Sequence, residues 1–172
     1  MKNVLYTGKY LSLVKEGHWE YAHRVNATGA VVIAAVTEEQ KILLVEQYRI
    51  PVQSRTVEFP AGIIGDEIDL KDESHAEAAR RELREETGYD AEQIETLTTG
   101  PASSGLTSEL VTLLRASGLR RVGAGGGVAH EKITVHEVPL SEIDTWLAAK
   151  VQAGLMIEPK VYAGLYFLLK DK

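Results

Sequence analysis

Three carboxylates, Glu82, Glu85 and Glu86, fall at steps of three and four residues, so in a helix all three project from one face. They repel one another, and near a helix C-terminus they also oppose the macrodipole. A hard divalent cation, Mg²⁺ or Mn²⁺, turns that repulsion into a coordination shell, because it accepts carboxylate oxygens, keeps some waters and binds phosphates. The competing reading is a solvated acidic face neutralised in part by Arg80, Arg81 and Arg84. Either reading needs a helix. Ser74 or Asp72 can cap its start, Ala76, Ala79 and Leu83 repeat at helical spacing, and Gly88 can close it in a left-handed conformation.

The stretch Arg81-Glu82-Leu83-Arg84-Glu85-Glu86-Thr87-Gly88-Tyr89 resembles the Nudix box, whose pattern is G-x5-E-x7-R-E-u-x-E-E-x-G-u with u aliphatic or aromatic. From Glu73 onward the match is complete. Ahead of it, ten residues rather than five separate Gly62 from Glu73, an insertion of five that a loop accommodates at small entropic cost. The resemblance implies metal coordination by Glu82, Glu85 and Glu86, with the backbone carbonyl of Ala61 as a further ligand. It also implies that Arg81 and Glu73 pair to fix the loop against the helix, since a charge-assisted pair sets direction as well as distance.

Around the box the apolar patterning predicts strands. Residues 4–6, 10–14 and 19–25 read as short strands with Gly8 and Gly17 in the turns. Residues 30–36 and 41–49 are continuous apolar runs suited to strands covered on both sides, joined by a turn at 37–40. Strands are also expected at 94–99, 110–116 and 133–138. Ser141-Glu142-Ile143-Asp144 has capping-box form for a helix through Lys150, and Pro159 opens a last helix with Val161, Leu165, Leu168 and Leu169 on its buried stripe.

The N-terminal strands resemble the antiparallel sheet of the ADP-ribose pyrophosphatase branch of that family, which commonly builds a dimer. By that resemblance Trp19 lies in a subunit interface or stacks on a nucleobase supplied by the neighbouring protomer, against the plainer reading of core or interface packing. Gln47-Tyr48-Arg49 followed by Val57-Glu58-Phe59-Pro60-Ala61-Gly62 is similar to the nucleoside-diphosphate-sugar hydrolases, where Arg49, and more weakly Arg24, would contact a substrate phosphate. A surface salt bridge is the alternative for both. Ser103-Ser104-Gly105 resembles a Ser-Pro-Gly segment of ADP-sugar pyrophosphatases, with Ser104 in place of proline, and Glu109 then keeps an acidic substrate-binding position. Glu131 matches a loop glutamate that serves as general base, with His130 and the box residue Glu85 as competing catalytic groups.

The bounds agree with this reading. A chain of 172 residues with 44% hydrophobic and 26% charged residues favours one globular domain, 1–172, with 1–26 as the dimer-forming sheet. The formal charge of −6 repels nucleic acid and anionic membrane, so a polyphosphate substrate needs bound cations and a few aimed arginines. No apolar run reaches spanning length, Met1-Lys2-Asn3 opens no signal peptide, and the absence of cysteine fits a reducing cytoplasm. Gly123-Ala124-Gly125-Gly126-Gly127 reads as a mobile loop. The resemblance implies an α/β fold, a Nudix-type α/β/α sandwich around a mixed sheet with an N-terminal antiparallel sheet. The implied activity is Mg²⁺-dependent hydrolysis of nucleoside diphosphate sugars to a nucleoside monophosphate and a sugar phosphate. A hydrolase of nucleoside triphosphates or RNA 5′ ends, and a non-catalytic nucleotide-sensing module, are the alternatives.

Overall fold

The computed structural model describes residues 1–65, 70, 72–128 and 132–170. Its first three strands, β1 (Lys2–Thr7), β2 (Leu11–Glu16) and β3 (Trp19–Arg24), form an antiparallel sheet of their own. That sheet leaves Val4, Leu5, Tyr6, Tyr10, Leu11 and Leu13 exposed. β3 joins it to the rest of the molecule: the Ala22 N–H donates to the Leu106 carbonyl at 2.8 Å and the Ser108 N–H to the Ala22 carbonyl at 3.1 Å.

The remaining strands divide between two four-stranded mixed sheets rather than one. The first runs β7 (Ala61–Ile64), β4 (Gly29–Ala35), β9 (Leu110–Arg121), β8 (Tyr89–Pro101), with β4 and β9 parallel. The second runs β10 (Thr134–Pro139), β5 (Lys41–Arg49), β6 (Ser54–Glu58), β11 (Met156–Ile157), with β6 and β11 parallel. The apolar run of β4 is covered on both faces because its side chains alternate between two cores. Val31, Ile33 and Ala35 pack with Ala78, Ala79 and Leu83 of α1 (His75–Thr87). Val32 and Ala34 pack on the other side with Leu147 of α2 (Ile143–Gln152) and Val161 and Leu165 of α3 (Pro159–Leu169). The α/β expectation with an N-terminal antiparallel sheet therefore holds.

α1 begins as the sequence implies. Ser74 is its N-cap in a full capping box with Glu77, and Gly88 closes it at φ +75°. Its buried side is Ala78, Ala79 and Leu83, whereas Ala76 faces out. The second capping box does not form. Leu140 is buried and donates its N–H to the Gln40 carbonyl at 2.9 Å, which draws residues Leu140–Glu142 into a 3-10 turn. α2 then starts at Ile143 behind Glu142, with no side-chain cap. On α3 the buried positions are Val161, Gly164 and Leu165, while Leu169 is exposed.

The glycine-rich segment, expected as a mobile loop, is hydrogen-bonded to the end of α1. The N–H groups of Gly126 and Gly127 donate to the carbonyls of Glu86 and Glu85 at 2.8 and 2.9 Å, and those of Val122 and Gly123 to the Gly88 carbonyl. These bonds satisfy the carbonyls that a helix C-terminus leaves open. Only glycine admits the approach: a Cβ on Gly125, at φ +70°, would lie 2.4 Å from the Thr87 carbonyl carbon.

Candidate active site

A cavity of about 300 Å³ lies where both four-stranded sheets, α1, α3 and the end of β3 meet. β7 supplies Ala61 and Gly62, and α1 supplies Glu82 and Glu86. The ends of β5 and β6 contribute Arg49 and Glu58, the end of β3 contributes Arg24, the loop between β8 and β9 contributes Glu109, and the start of α3 adds Lys160 beside Glu158. Its wall thus carries five carboxylates against three cations. A larger cavity, about 400 Å³, holds Trp19 with Tyr21, Ser104 and Gly105, but Glu16 is its only carboxylate. The smaller cavity is the better candidate because the charged groups converge there.

The carboxylates of α1 are held from three sides. The Pro60 carbonyl accepts the Ile33 N–H at 2.8 Å and ties the turn before β7 to β4. The next N–H, that of Ala61, donates to Glu86 Oε2 at 3.0 Å, and Glu86 is only 4% exposed. Arg81 spans Glu73, with contacts of 3.0 and 3.1 Å, and also reaches the Ile63 carbonyl at 3.3 Å. Its Nη1 donates to Glu82 at 2.7 Å and to Glu85 at 3.4 Å. Glu73 above all, then Glu82, holds the Arg81 guanidinium in its charged form well above the ordinary arginine range, against the opposing effect of burial. Arg81 therefore combines the anchoring role read from the sequence with neutralisation of two box glutamates.

Of the residues singled out in the sequence, Arg24, Arg49, Ala61, Glu82, Glu86 and Glu109 come together at this cavity. Glu85 does not line it; its side chain is about one-third exposed and turns to Arg81. Trp19 is 52% exposed, which removes core packing as its role, and it lies at the other cavity. Glu131 and His130 lie outside the described residues. Among the described residues, no three His, Asp or Glu side chains are gathered into a ready-made cation cage. The donors at the cavity, the Glu82 and Glu86 carboxylates and the Ala61 carbonyl, are nonetheless all oxygen, which suits a hard divalent ion.

Both arginines that the sequence marks for substrate contact carry carboxylate partners. Arg24 pairs with Glu109, linking the N-terminal sheet to the cavity wall. Arg49 pairs with Glu58 through Nε at 2.8 Å and Nη2 at 2.5 Å. Burial pushes the Glu58 carboxyl up, but hydrogen bonds from Arg49 and Thr56 outweigh it and leave it below the usual carboxylate range. Glu58, Glu158 and Lys160 were not recognised from the sequence as site residues. Glu58 had a signal, a charge set between the apolar Val57 and Phe59; Glu158 and Lys160 had none, because α3 reaches the cavity only through tertiary packing.

Comparison with known proteins gives the family and the fold. A family profile described as NUDIX domain matches residues 26–151. A methanol dehydrogenase activator of Bacillus methanolicus is 39% identical over 127 residues, 73% of this chain and 66% of that protein. An ADP-ribose pyrophosphatase of Bacillus subtilis (strain 168) is 36% identical over 124 residues, 69% of this chain and 64% of that protein. The chain thus spans just under two thirds of the length of these relatives. A solved structure described as an ADP compounds hydrolase superposes with a TM-score of 0.68 at 21% identity, covering 86% of this chain and 80% of the other, and so shares the fold. With most of its length matched to the family profile and its box carboxylates seated on α1, the chain belongs to the NUDIX domain family.

Proposed function

We propose that the protein hydrolyses the pyrophosphate bond of nucleoside diphosphate sugars, giving a nucleoside monophosphate and a sugar phosphate. The observation that carries this reading is the convergence of Glu82, Glu86 and Ala61 with Arg24 and Arg49 on one cavity. Such a wall has little use for a neutral ligand, and its excess of carboxylates over cations needs a divalent ion before a diphosphate can enter. Glu82, Glu86 and the Ala61 carbonyl would hold Mg²⁺, or Mn²⁺ in its place, with Glu85 joining them once released from Arg81. When bound, the ion neutralises the diphosphate and lowers the pKa of the attacking water.

The chain's own groups supply the rest. Arg49 and Arg24 orient the diphosphate, and Glu109 holds Arg24 in place. Arg81 keeps the box carboxylates aligned through Glu73 and the Ile63 carbonyl. Glu131 is proposed as the base that accepts the water proton. Its flanks support the assignment, since Gly127 is bonded to the Glu85 carbonyl and the Ile133 N–H to the Gly126 carbonyl. The name of the Bacillus subtilis relative supports an ADP-sugar within this class. The Bacillus methanolicus relative is named for activating a dehydrogenase, yet a purely non-catalytic role sits poorly with a box that retains every glutamate.

The exposed apolar side chains of β1 and β2, with Trp19, support a homodimer built on the N-terminal sheet. No helix among the described residues is long and apolar enough to cross a membrane, and the lack of cysteine is compatible with the cytoplasm as the working compartment. The deciding experiment measures product release from ADP-ribose, GDP-mannose, UDP-glucose and a nucleoside triphosphate, with Mg²⁺ and with EDTA. Turnover of a nucleotide sugar that EDTA abolishes, and that Glu86→Gln lowers by at least about 100-fold, is expected. Preference for the triphosphate, or full activity in EDTA, would overturn the proposal.

A further inference from the structure

Glu58 sits at the end of β6, 5% exposed, in a wall where a buried carboxylate is costly unless it is paired and hydrogen-bonded. It is fully engaged. Oε1 accepts from Arg49 Nε at 2.8 Å and from the Thr56 hydroxyl, and Oε2 accepts from Arg49 Nη2 at 2.5 Å. Arg49 lies opposite Ser54 in the β5–β6 register, so its side chain runs back along the hairpin, past Thr56, to reach Glu58. A long flexible side chain is thereby fixed in one extended path before any ligand arrives, and the ordering entropy is not charged against binding.

The pairing also decides which edge of the guanidinium is left. Arginine offers two bidentate edges: the side edge made by Nε–H and Nη2–H, and the end edge made by Nη1–H and Nη2–H. Glu58 takes the side edge. Both side-chain hydrogen bonds that Arg49 makes among the described residues go to it, while Arg49 itself lines the cavity shared with Glu82 and Glu86. Arg24 differs, since its contact with Glu109 runs through Nε and leaves its terminal nitrogens uncommitted to that carboxylate.

We infer that Glu58 is a positioning residue that locks the side edge of Arg49 and so presents the end edge to the diphosphate of a bound nucleotide sugar. The inference rests on the proposed substrate class, but its mechanical content concerns Arg49 and can be read from binding alone. Glutamine at position 58 keeps the shape and supplies only one acceptor oxygen; its amide N–H groups would face one of the two arginine donors. Lysine at position 49 keeps the charge but has one ammonium, which cannot serve a buried carboxylate and a phosphate with two fixed edges.

The test measures Kd for the α,β-methylene analogue of ADP-ribose in Mg²⁺, on the full chain, alongside turnover of ADP-ribose itself. Glu58→Gln is expected to raise Kd about 10-fold, on the scale of losing a supporting hydrogen-bond partner. In an Arg49→Ala background the same change should move Kd less than about 2-fold, because it acts only through the arginine. Arg49→Lys should lose most of what Arg49→Ala loses, which keeps the idea testable if Glu58→Gln folds poorly. Equal effects of Glu58→Gln with and without Arg49, or wild-type binding by Arg49→Lys, would overturn the assignment. The Kd pattern without turnover by the wild type would sustain the role of Glu58 and reject hydrolysis; turnover without the Kd pattern would do the reverse.

Discussion

A Cβ placed on Gly62 would stand 1.8 Å from Oε1 of Glu82 and 2.4 Å from its Cγ. The Glu82 side chain therefore lies across the bare backbone of β7, and the glycine that opens the box is the surface on which the first box glutamate rests. Turn geometry has no part in this, since Gly62 is not among the positive-φ glycines.

Gly62→Ala should accordingly leave the fold in place and displace the Glu82 carboxylate. A shift of about 1 Å in a positioned group costs on the order of 100-fold in rate. Steady-state kinetics with circular dichroism as a folding control checks this. A variant with wild-type kcat/KM would show that Glu82 need not occupy its observed position.

The docked glycine segment predicts a stability effect remote from the cavity lining. Gly125→Ala combines a left-handed backbone, which costs about 1–2 kcal/mol in an L-residue, with a close approach to Thr87. For a chain of this size that corresponds to a fall in Tm of roughly 2–8 °C. Gly100→Ala is the control, because a Cβ there meets open space. Thermal unfolding should separate the two, and equal Tm values would mean that the segment does not clamp the end of α1.

Acid stability follows from groups the proposed reaction does not use. Asp90 is 3% exposed, and hydrogen bonds from Arg84, then Arg120, hold its carboxyl at about 2 against an ordinary 3.8. Burial pushes the Glu46 carboxyl up, yet Lys150, Arg55 and His136 together bring it to about 2 from 4.5. Both are depressed in the folded state, so their contribution is present above the unfolded values and is lost as pH falls from about 4.5 towards 2. His136 lies 2.9 Å from Glu46, and burial lowers its pKa below 6.5; the unfolded chain then takes the proton more readily, and stability begins to decline below that pH. Urea unfolding across this range should show a gentle loss followed by a steep one. Asp90→Asn should flatten the lower portion and His136→Gln the upper, and a curve flat from pH 7 to 3 would contradict the ionic clusters.

The sequence alone determined the helix that carries the box and the family to which it belongs. The reason is local: capping at Ser74, the left-handed Gly88 and steps of three and four between carboxylates all act within a few turns of chain. It also marked Arg24, Arg49 and Glu109, which the structure brings to the same cavity as Glu82 and Glu86. Tertiary structure decided what depends on segments far apart in the chain. The glycine segment looks mobile by composition and becomes a clamp because its N–H groups meet the open carbonyls of α1. Glu85 shares a helical face with Glu82 and Glu86, yet Arg81 draws it away from the cavity. Glu58 gains its role only when the β5–β6 register carries Arg49 back to it, and Lys160 enters the wall only because α3 packs beside β6. Periodicity specifies which face of an element a side chain occupies; which partner it meets there depends on how separate elements pack.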